Sequence, residues 1–136
     1  MIQARKKFVS DINEIISEIH KKLTGNQEQI EVIYEPNTGG QSLGDVIQRN
    51  RERDLRMMST TSGPHRDDIC FQVDGIDIRK FGSQGQQRTA ALSLKLSEIE
   101  LVKMLTKDKP VLLLDDVLSE LDKHRQNYLL DSIDDI

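Results

Sequence analysis

The 136 residues contain no tryptophan, a single cysteine, three prolines and no glycine followed by lysine. A lone cysteine, Cys70, rules out an internal disulfide and a multi-cysteine zinc site. Set in Ile69-Cys70-Phe71, an alternating strand-like run, it reads as a small thiol that is buried or half-buried. No apolar stretch approaches the roughly 20 residues of a membrane span. Met1 leads into Arg5-Lys6-Lys7 and an amphipathic helix, not a signal peptide, so a cytoplasmic protein is the default. None of the eight glycines precedes a lysine, which excludes the G-x-x-x-x-G-K-[ST] loop that cradles nucleotide phosphates. Positive charge is not in excess either. The net charge is −4, so any nucleic-acid contact must come from a local patch. The acidic surplus lies beyond residue 56, where 14 acidic residues face 10 basic ones. A hydrophobic share of 36% against a charged share of 31% suggests helices with broad solvated faces, or a core completed from outside the chain.

What is present is strongly patterned. Val9, Ile12, Ile16, Ile19 and Leu23 recur at alternating intervals of three and four, the seam of a short coiled coil or helical hairpin. Thr24-Gly25-Asn26 stops that helix, because Gly and Asn tolerate the left-handed conformation at a helix end. Ile30, Val32 and Tyr34 alternate with polar residues as in a strand, and Pro36-Asn37-Thr38-Gly39-Gly40 is a loop. Ser42-Leu43-Gly44-Asp45 predicts the capped start of a second helix running to about Met57. Arg49, Arg53 and Arg56 share one face of it, with Arg51 nearby. Glu52 and Asp54 are interspersed, so that face is either a solvated charged surface or a contact for a phosphate backbone.

Gly63-Pro64 marks a change of style. Ile69, Phe71 and Val73 alternate, Asp74-Gly75 is a two-residue hairpin turn, and Ile76 and Ile78 are expected to resume the strand. A long helix is predicted from Gln84 to about Leu105, with Leu92, Leu96, Ile99 and Val102 along one face. Val111 to Leu114 is a continuous apolar run, the mark of a strand covered on both faces. A last helix from Asp122 is expected to carry Leu129 and Ile133 inward.

Three short motifs carry chemistry. Ser83-Gln84-Gly85-Gln86 is, at its simplest, a capping box in which Ser83 and Gln86 satisfy each other's backbone amides. That does not account for Gly85, in a first helical turn where glycine is unfavourable. Glycine is useful there if a bulky anion must approach the amides, and a helix N-terminus with free N–H groups is a phosphate site. Asp115 and Asp116 follow the apolar run. They either cap and pair locally, or divide the work of magnesium binding through a water (Asp115) and orienting an attacking water (Asp116). Ser119-Glu120-Leu121-Asp122 repeats a cap pattern at the next helix.

Taken in order, the helix start, the helix of about six turns, the apolar strand ending in two acids and the Ser-x-Leu-Asp loop resemble the second half of an ABC/SMC-type ATPase head. Within that superfamily, three stretches are similar to the RecF-like DNA replication and repair proteins. They are Gly63-Pro64-His65-Arg66-Asp67-Asp68, Gly82-Ser83-Gln84-Gly85-Gln86-Gln87-Arg88-Thr89, and Leu113-Leu114-Asp115-Asp116-Val117-Leu118-Ser119-Glu120-Leu121-Asp122, continued by Arg125 and Leu129. The resemblance is specific from about 61 to 130 and rests on a compatible arm-like pattern over 1–57. It implies an α/β fold: part of an ATPase head over 58–136, with a P-loop-like sheet and flanking helices, joined to a short helical arm over 1–57.

The resemblance also implies a function. RecF-like proteins dimerise with ATP, bind DNA at single-strand/double-strand junctions, and work with RecR and RecO to load RecA. By carry-over, Ser83, Gly85 and Gln86 reach the γ-phosphate of ATP held by the other subunit. Asp115 then holds magnesium, Asp116 serves catalysis on its own subunit, and Ser119 and Asp122 belong to the loop linking the two sites. Arg49, Arg53 and Arg56 become candidate DNA contacts. The Walker-A loop, the glutamine loop and the late switch histidine are missing, and His124 lies too early to replace the last. The chain is therefore expected to be a carboxy-terminal fragment, inactive and binding neither ATP nor magnesium by itself. Asp116 stands where most such heads carry Glu, and the shorter side chain suits a slow ATPase. His65-Arg66-Asp67-Asp68 is read as a structural junction, since neighbouring residues point in different directions. The alternatives are a stand-alone module that binds DNA or a protein partner through its arm, and a piece of another SMC-like head of RecN type, which the short arm disfavours.

Overall fold

The computed structural model describes residues 1–111, 113, 119 and 121–134, with side chains as far as residue 131. Its elements are α1 (Ile2–Leu23), β1 (Ile30–Glu35), α2 (Leu43–Met57), β2 (Asp68–Val73), β3 (Ile76–Asp77), α3 (Ile78–Phe81), α4 (Gln84–Thr106) and α5 (Lys123–Asp134). A 3-10 turn, Pro64–Arg66, precedes β2.

α1 forms where the seam predicts it, and Val9, Ile12, Ile16, Ile19 and Leu23 are all buried. It ends at Thr24, whose amide donates to the His20 carbonyl at 2.9 Å, and Gly25 and Asn26 follow at φ 63° and 62°. The chain returns as β1, which pairs antiparallel with β2 along its whole length, from Ile30 opposite Val73 to Glu35 opposite Asp68. Asp74 and Gly75 turn the corner with both φ positive, at 50° and 81°, as a tight two-residue hairpin requires. β3 adds a third strand, in the order β1-β2-β3. Cys70 is buried, 5% exposed.

The second strand of that hairpin is shorter than expected. It stops at Asp77, whose carboxylate accepts the Arg79 amide at 2.9 Å and starts α3. A local side-chain bond of this kind competes with the strand ladder, and it turns Ile78 into the core as a helical residue.

α4 lies against α1, with Thr89, Ala90, Leu92, Ser93, Leu96, Ser97, Ile99 and Leu101 buried. Of the expected stripe, Leu92, Leu96 and Ile99 are buried, whereas Val102 is 41% exposed and Leu101 points inward instead. The reason is that α4 covers two clusters. Ala90 and Leu101 join Val9, Ile12, Ile16, Ile30, Val32, Val73 and Ile78, while Leu92, Leu96 and Ile99 join Ile19, Leu23 and Leu129. Leu129 of α5 is fully buried, as expected; the expected inward turn of Ile133 lies outside the described side chains.

α2 is different. Its bounds agree with the sequence reading, but the capping box expected at Ser42 does not form. Asp45, at the third helical position, is one methylene shorter than the Glu or Gln that reaches back in such a box. Helix bonding begins instead from the Ser42 carbonyl, which accepts from Val46 at 3.1 Å. Val46 is the only buried residue of this helix.

The expected arm boundary at residue 57 is bridged on both sides of the core: β1 pairs with β2, and α1 packs on α4. The class is mixed α/β, but the described sheet is antiparallel and three-stranded rather than P-loop-like. The expected doubly covered strand at Val111–Leu114 is not formed at its described positions. Val111 and Leu113 belong to no strand and are 87% and 89% exposed. A strand of that kind needs neighbours on both sides, and no described strand lies beside it. Leu112, Leu114, Asp115 and Asp116 lie outside the described residues.

Candidate functional site

The start of α4 is assembled from two short turns. α3 closes against Gly82, whose amide donates to the Ile78 carbonyl at 3.0 Å. A Cβ on Gly82 would stand 2.5 Å from that carbonyl oxygen, so the tight approach itself demands glycine. Ser83 then caps the helix: its Oγ accepts the Gln86 amide at 3.1 Å, and Gln86 Oε1 accepts the Ser83 amide at 2.9 Å. The capping box read from the sequence is therefore formed in full. The Gln87 amide is taken by the Ser83 carbonyl at 3.0 Å. The amides of Gln84 and Gly85 have no acceptor among the described residues and stand at the positive end of a 23-residue helix.

Gly85 is exposed, and a Cβ there would meet only Ser83 Oγ, at 3.8 Å. Unlike Gly82, nothing among the described residues requires it to be glycine. The tip thus combines two open amides, a serine hydroxyl and an unobstructed approach, which suits an anion of phosphate size.

Behind the tip lies a chain of polar contacts that sequence reasoning missed. Gln86 Nε2 donates to Glu28 Oε1 at 3.1 Å, and Glu28 Oε2 lies 3.2 Å from His20 Nε2. His20 Nδ1 lies 2.9 Å from Ser93 Oγ, which is also 2.8 Å from the Thr89 carbonyl. His20 is fully buried, and burial holds its imidazole below the ordinary value, with Glu28 pulling the other way. A trace of this was legible, since His20 is four residues from Ile16 and adjoins Ile19 on the seam of α1.

The residues His65-Arg66-Asp67-Asp68 do not form one cluster. Asp67 is a hub whose carboxylate accepts from the Tyr34 hydroxyl, from Arg5 Nη1 at 2.6 Å and from the Asn37 amide at 2.9 Å. Those donors, Tyr34 first, hold its carboxyl below the usual carboxylate range. Asp68 pairs instead with Arg79 at 2.6 Å, His65 Nε2 lies 3.2 Å from the Thr60 carbonyl, and Arg66 is exposed. The geometry is that of a junction tying α1, β1 and the 3-10 turn together.

Arg49, Arg51, Arg53 and Arg56 are all exposed on α2, and Arg56 Nε donates to the Glu52 carbonyl at 3.4 Å. Ser119 is exposed. Asp122 caps α5, accepting the Arg125 amide at 3.0 Å and the Arg125 guanidinium at 2.7 Å. That amide is the chief cause of its lowered pKa. Ser83, Gly85 and Gln86 therefore share one tip, while Asp115 and Asp116 lie outside the described residues. Among the described residues no three His, Cys, Asp or Glu side chains gather as metal ligands, and no helix is long and apolar enough to cross a membrane.

Fold and site together define a mixed α/β unit in which one long helix presents a capped, open N-terminus beside a short antiparallel sheet. The same unit occurs in solved structures of the recombination mediator protein RecF. One, RecF-ATP in the RecFOR pathway, matches with a TM-score of 0.80 at 37% identity over 96% of this chain and 37% of that one. A second, RecF-ATPrS, gives 0.83 at 37% identity over 97% of this chain and 38% of that one. Among curated proteins, the DNA replication and repair protein RecF of Lachnoclostridium phytofermentans is 56% identical over 133 residues, or 98% of this chain. That of Agathobacter rectalis is 57% identical over 135 residues, or 99% of this chain, and that of Clostridium botulinum is 47% identical over 141. No family model matches. The chain belongs to the RecF family of DNA replication and repair proteins, and it spans about 37% of the length of the Lachnoclostridium phytofermentans and Agathobacter rectalis relatives.

Proposed function

We propose that this chain supplies the signature half of a composite nucleotide site in a RecF-type ATPase that dimerises with ATP. The observation that carries the reading is Gly85: a first-turn glycine that nothing among the described residues requires, beside two open amides and the Ser83 hydroxyl. Ser83, Gly85 and Gln86 meet the γ-phosphate of ATP held by a second subunit. The amides of Gln84 and Gly85 and the helix dipole stabilise the charge that builds there. The likeness to RecF solved with ATP supports this assignment. Asp115 holds magnesium through a water and Asp116 orients the attacking water. Ser119 and Asp122 form the loop that communicates between the paired sites. Magnesium, when bound, neutralises phosphate charge.

The division at residue 57 is, in this reading, one of role within a single packed body. Residues 1–57 act as the arm subdomain and 58–136 as the nucleotide-facing part of the head, the missing sheet being supplied by the rest of a longer protein. Exposed Val111 and Leu113 fit a strand that finds its neighbours there. The partners are RecO and RecR, which the RecFOR pathway named for the solved relative supports, and junction DNA, with RecA loading as the outcome.

The experiment is Ser83→Arg in the full-length protein, followed by sedimentation with and without ATP. The long cation fills the tip, so ATP-dependent dimerisation should disappear while monomer nucleotide affinity stays near normal. A normal dimer would remove Ser83 from the proposed contact.

A second reading rests on α2. A helix with one buried residue and four exposed arginines suits a DNA backbone contact, whatever the head does.

A further inference from the structure

The tip of α4 does not hold itself. We infer that Glu28, braced by His20, is a positioning residue for the signature helix start, acting through the side chain of Gln86. The inference rests on the reading that this tip meets a phosphate.

The argument begins with donor and acceptor roles. A carboxylate only accepts, so the Gln86 group facing Glu28 Oε1 at 3.1 Å must be its NH2. The Ser83 amide only donates, so the group facing it at 2.9 Å must be Gln86 Oε1. The two contacts fix the amide of Gln86 in one orientation from both ends. With the Ser83 amide occupied by Gln86 Oε1 and the Gln86 amide by Ser83 Oγ, the groups left for an incoming oxygen are the amides of Gln84 and Gly85 and the proton of the Ser83 hydroxyl. Glu28 therefore helps decide which amides stay open.

Glu28 is in turn held by the core. Its Oε2 lies 3.2 Å from His20 Nε2, and His20 Nδ1 lies 2.9 Å from Ser93 Oγ, whose hydroxyl donates to the Thr89 carbonyl at 2.8 Å. His20 comes from α1, Glu28 from the connection between α1 and β1, and Ser93 from the body of α4. Glu28 is 22% exposed at its side chain and His20 not at all, so the support is internal while the tip it serves faces outward. A shift of α1 against α4 moves Glu28 and, through Gln86, the tip.

The test uses the full-length protein with Glu28→Ala, Glu28→Gln, Ser83→Arg and a core control, Leu92→Ala. Dimerisation is followed by sedimentation over an ATP series, alongside monomer ATP affinity and thermal melting. Glu28→Ala should raise the ATP concentration for half-dimerisation by about tenfold, the scale of one lost charge-assisted hydrogen bond. Monomer affinity should stay within about twofold. Glu28→Gln, which keeps the length and can turn its amide oxygen to Gln86, should recover most of the loss. Dimerisation of Glu28→Ala at wild-type ATP, with Ser83→Arg still defective, overturns the positioning role and leaves the signature reading standing. A normal dimer from Ser83→Arg overturns that reading itself. If Leu92→Ala shifts dimerisation as much as Glu28→Ala does, Glu28 acts only through stability and the inference falls.

Discussion

α1 and α2 are two helices of similar amphipathic promise with opposite fates. α1 buries six side chains along its 22 residues, and α2 buries one in 15. The apolar residues of α2 are not absent, yet Ile47 and Leu55 remain 43% and 68% exposed. What separates the helices is a partner. α4 and the sheet offer α1 a matching apolar face, whereas α2 is tied to the segment that follows it, by Asn50 on Ser62 at 2.8 Å and Asp54 on Thr61 at 2.6 Å. A helix is buried by what lies opposite it, and periodicity alone reports only the readiness to be buried.

The sharpest way to break this comparison is to truncate one apolar residue in each helix. Ile16→Ala in α1 should cost about 2–5 kcal/mol by urea unfolding, since the fully buried site cannot collapse around the lost methylenes. Leu55→Ala in α2 should stay within about 0.5 kcal/mol. Equal losses would show that α2 is more firmly packed than its exposure indicates.

The next effect is confined to α1 and is one of pH. His20 is held below its ordinary value of 6.5 chiefly by burial, against the pull of Glu28 and the distant Asp74, with Arg125 reinforcing the fall. Ser93 faces the other ring nitrogen. The unfolded chain binds this proton more readily than the folded one, so stability rises with pH across the window. The contribution is complete above the unfolded value and is lost as pH falls through it towards the lower folded one. Unfolding midpoints should therefore drop between about pH 7.5 and about pH 5.5, and His20→Gln should flatten that slope. Parallel slopes for the two proteins would take the proton off His20.

The smallest effect on stability belongs to the arginines of α2. Replacing Arg49, Arg53 and Arg56 by Ala should leave melting almost unchanged, since all three are exposed. If they touch a phosphate backbone, the salt dependence of binding to gapped duplex in the full-length protein should weaken by about three counterions. An unaltered salt slope would return that face to plain solvation.

Much of the local structure was legible. The seam of α1, its stop at Thr24-Gly25-Asn26, the Asp74-Gly75 turn and the Ser83–Gln86 box all depend on residues within a few positions of each other. The misreadings came where a local choice had competitors. Ile78 fits a strand by alternation, but the Asp77 cap claims it for a helix. Ser42 has the look of a box that Asp45 is too short to close. Val111 and Leu113 have the composition of a covered strand without a described neighbour to cover them. At the candidate site, Ser83, Gly85 and Gln86 could be named in advance because the helix-start motif is contiguous.

By itself, then, the sequence determined α1, α2, α4 and α5, the turn and the capped tip of α4, because backbone preference and side-chain reach act over a turn or two of chain. Tertiary structure decided which helix is covered, that β1 and β2 are neighbours, that Asp67 is a hub, and that Gln86 is steadied by Glu28. Those contacts join residues separated by 58 positions (Gln86 to Glu28), 62 (Arg5 to Asp67) and 73 (His20 to Ser93). No local pattern encodes such pairings, for they exist only once the apolar faces of α1, α4 and the sheet have closed on one another.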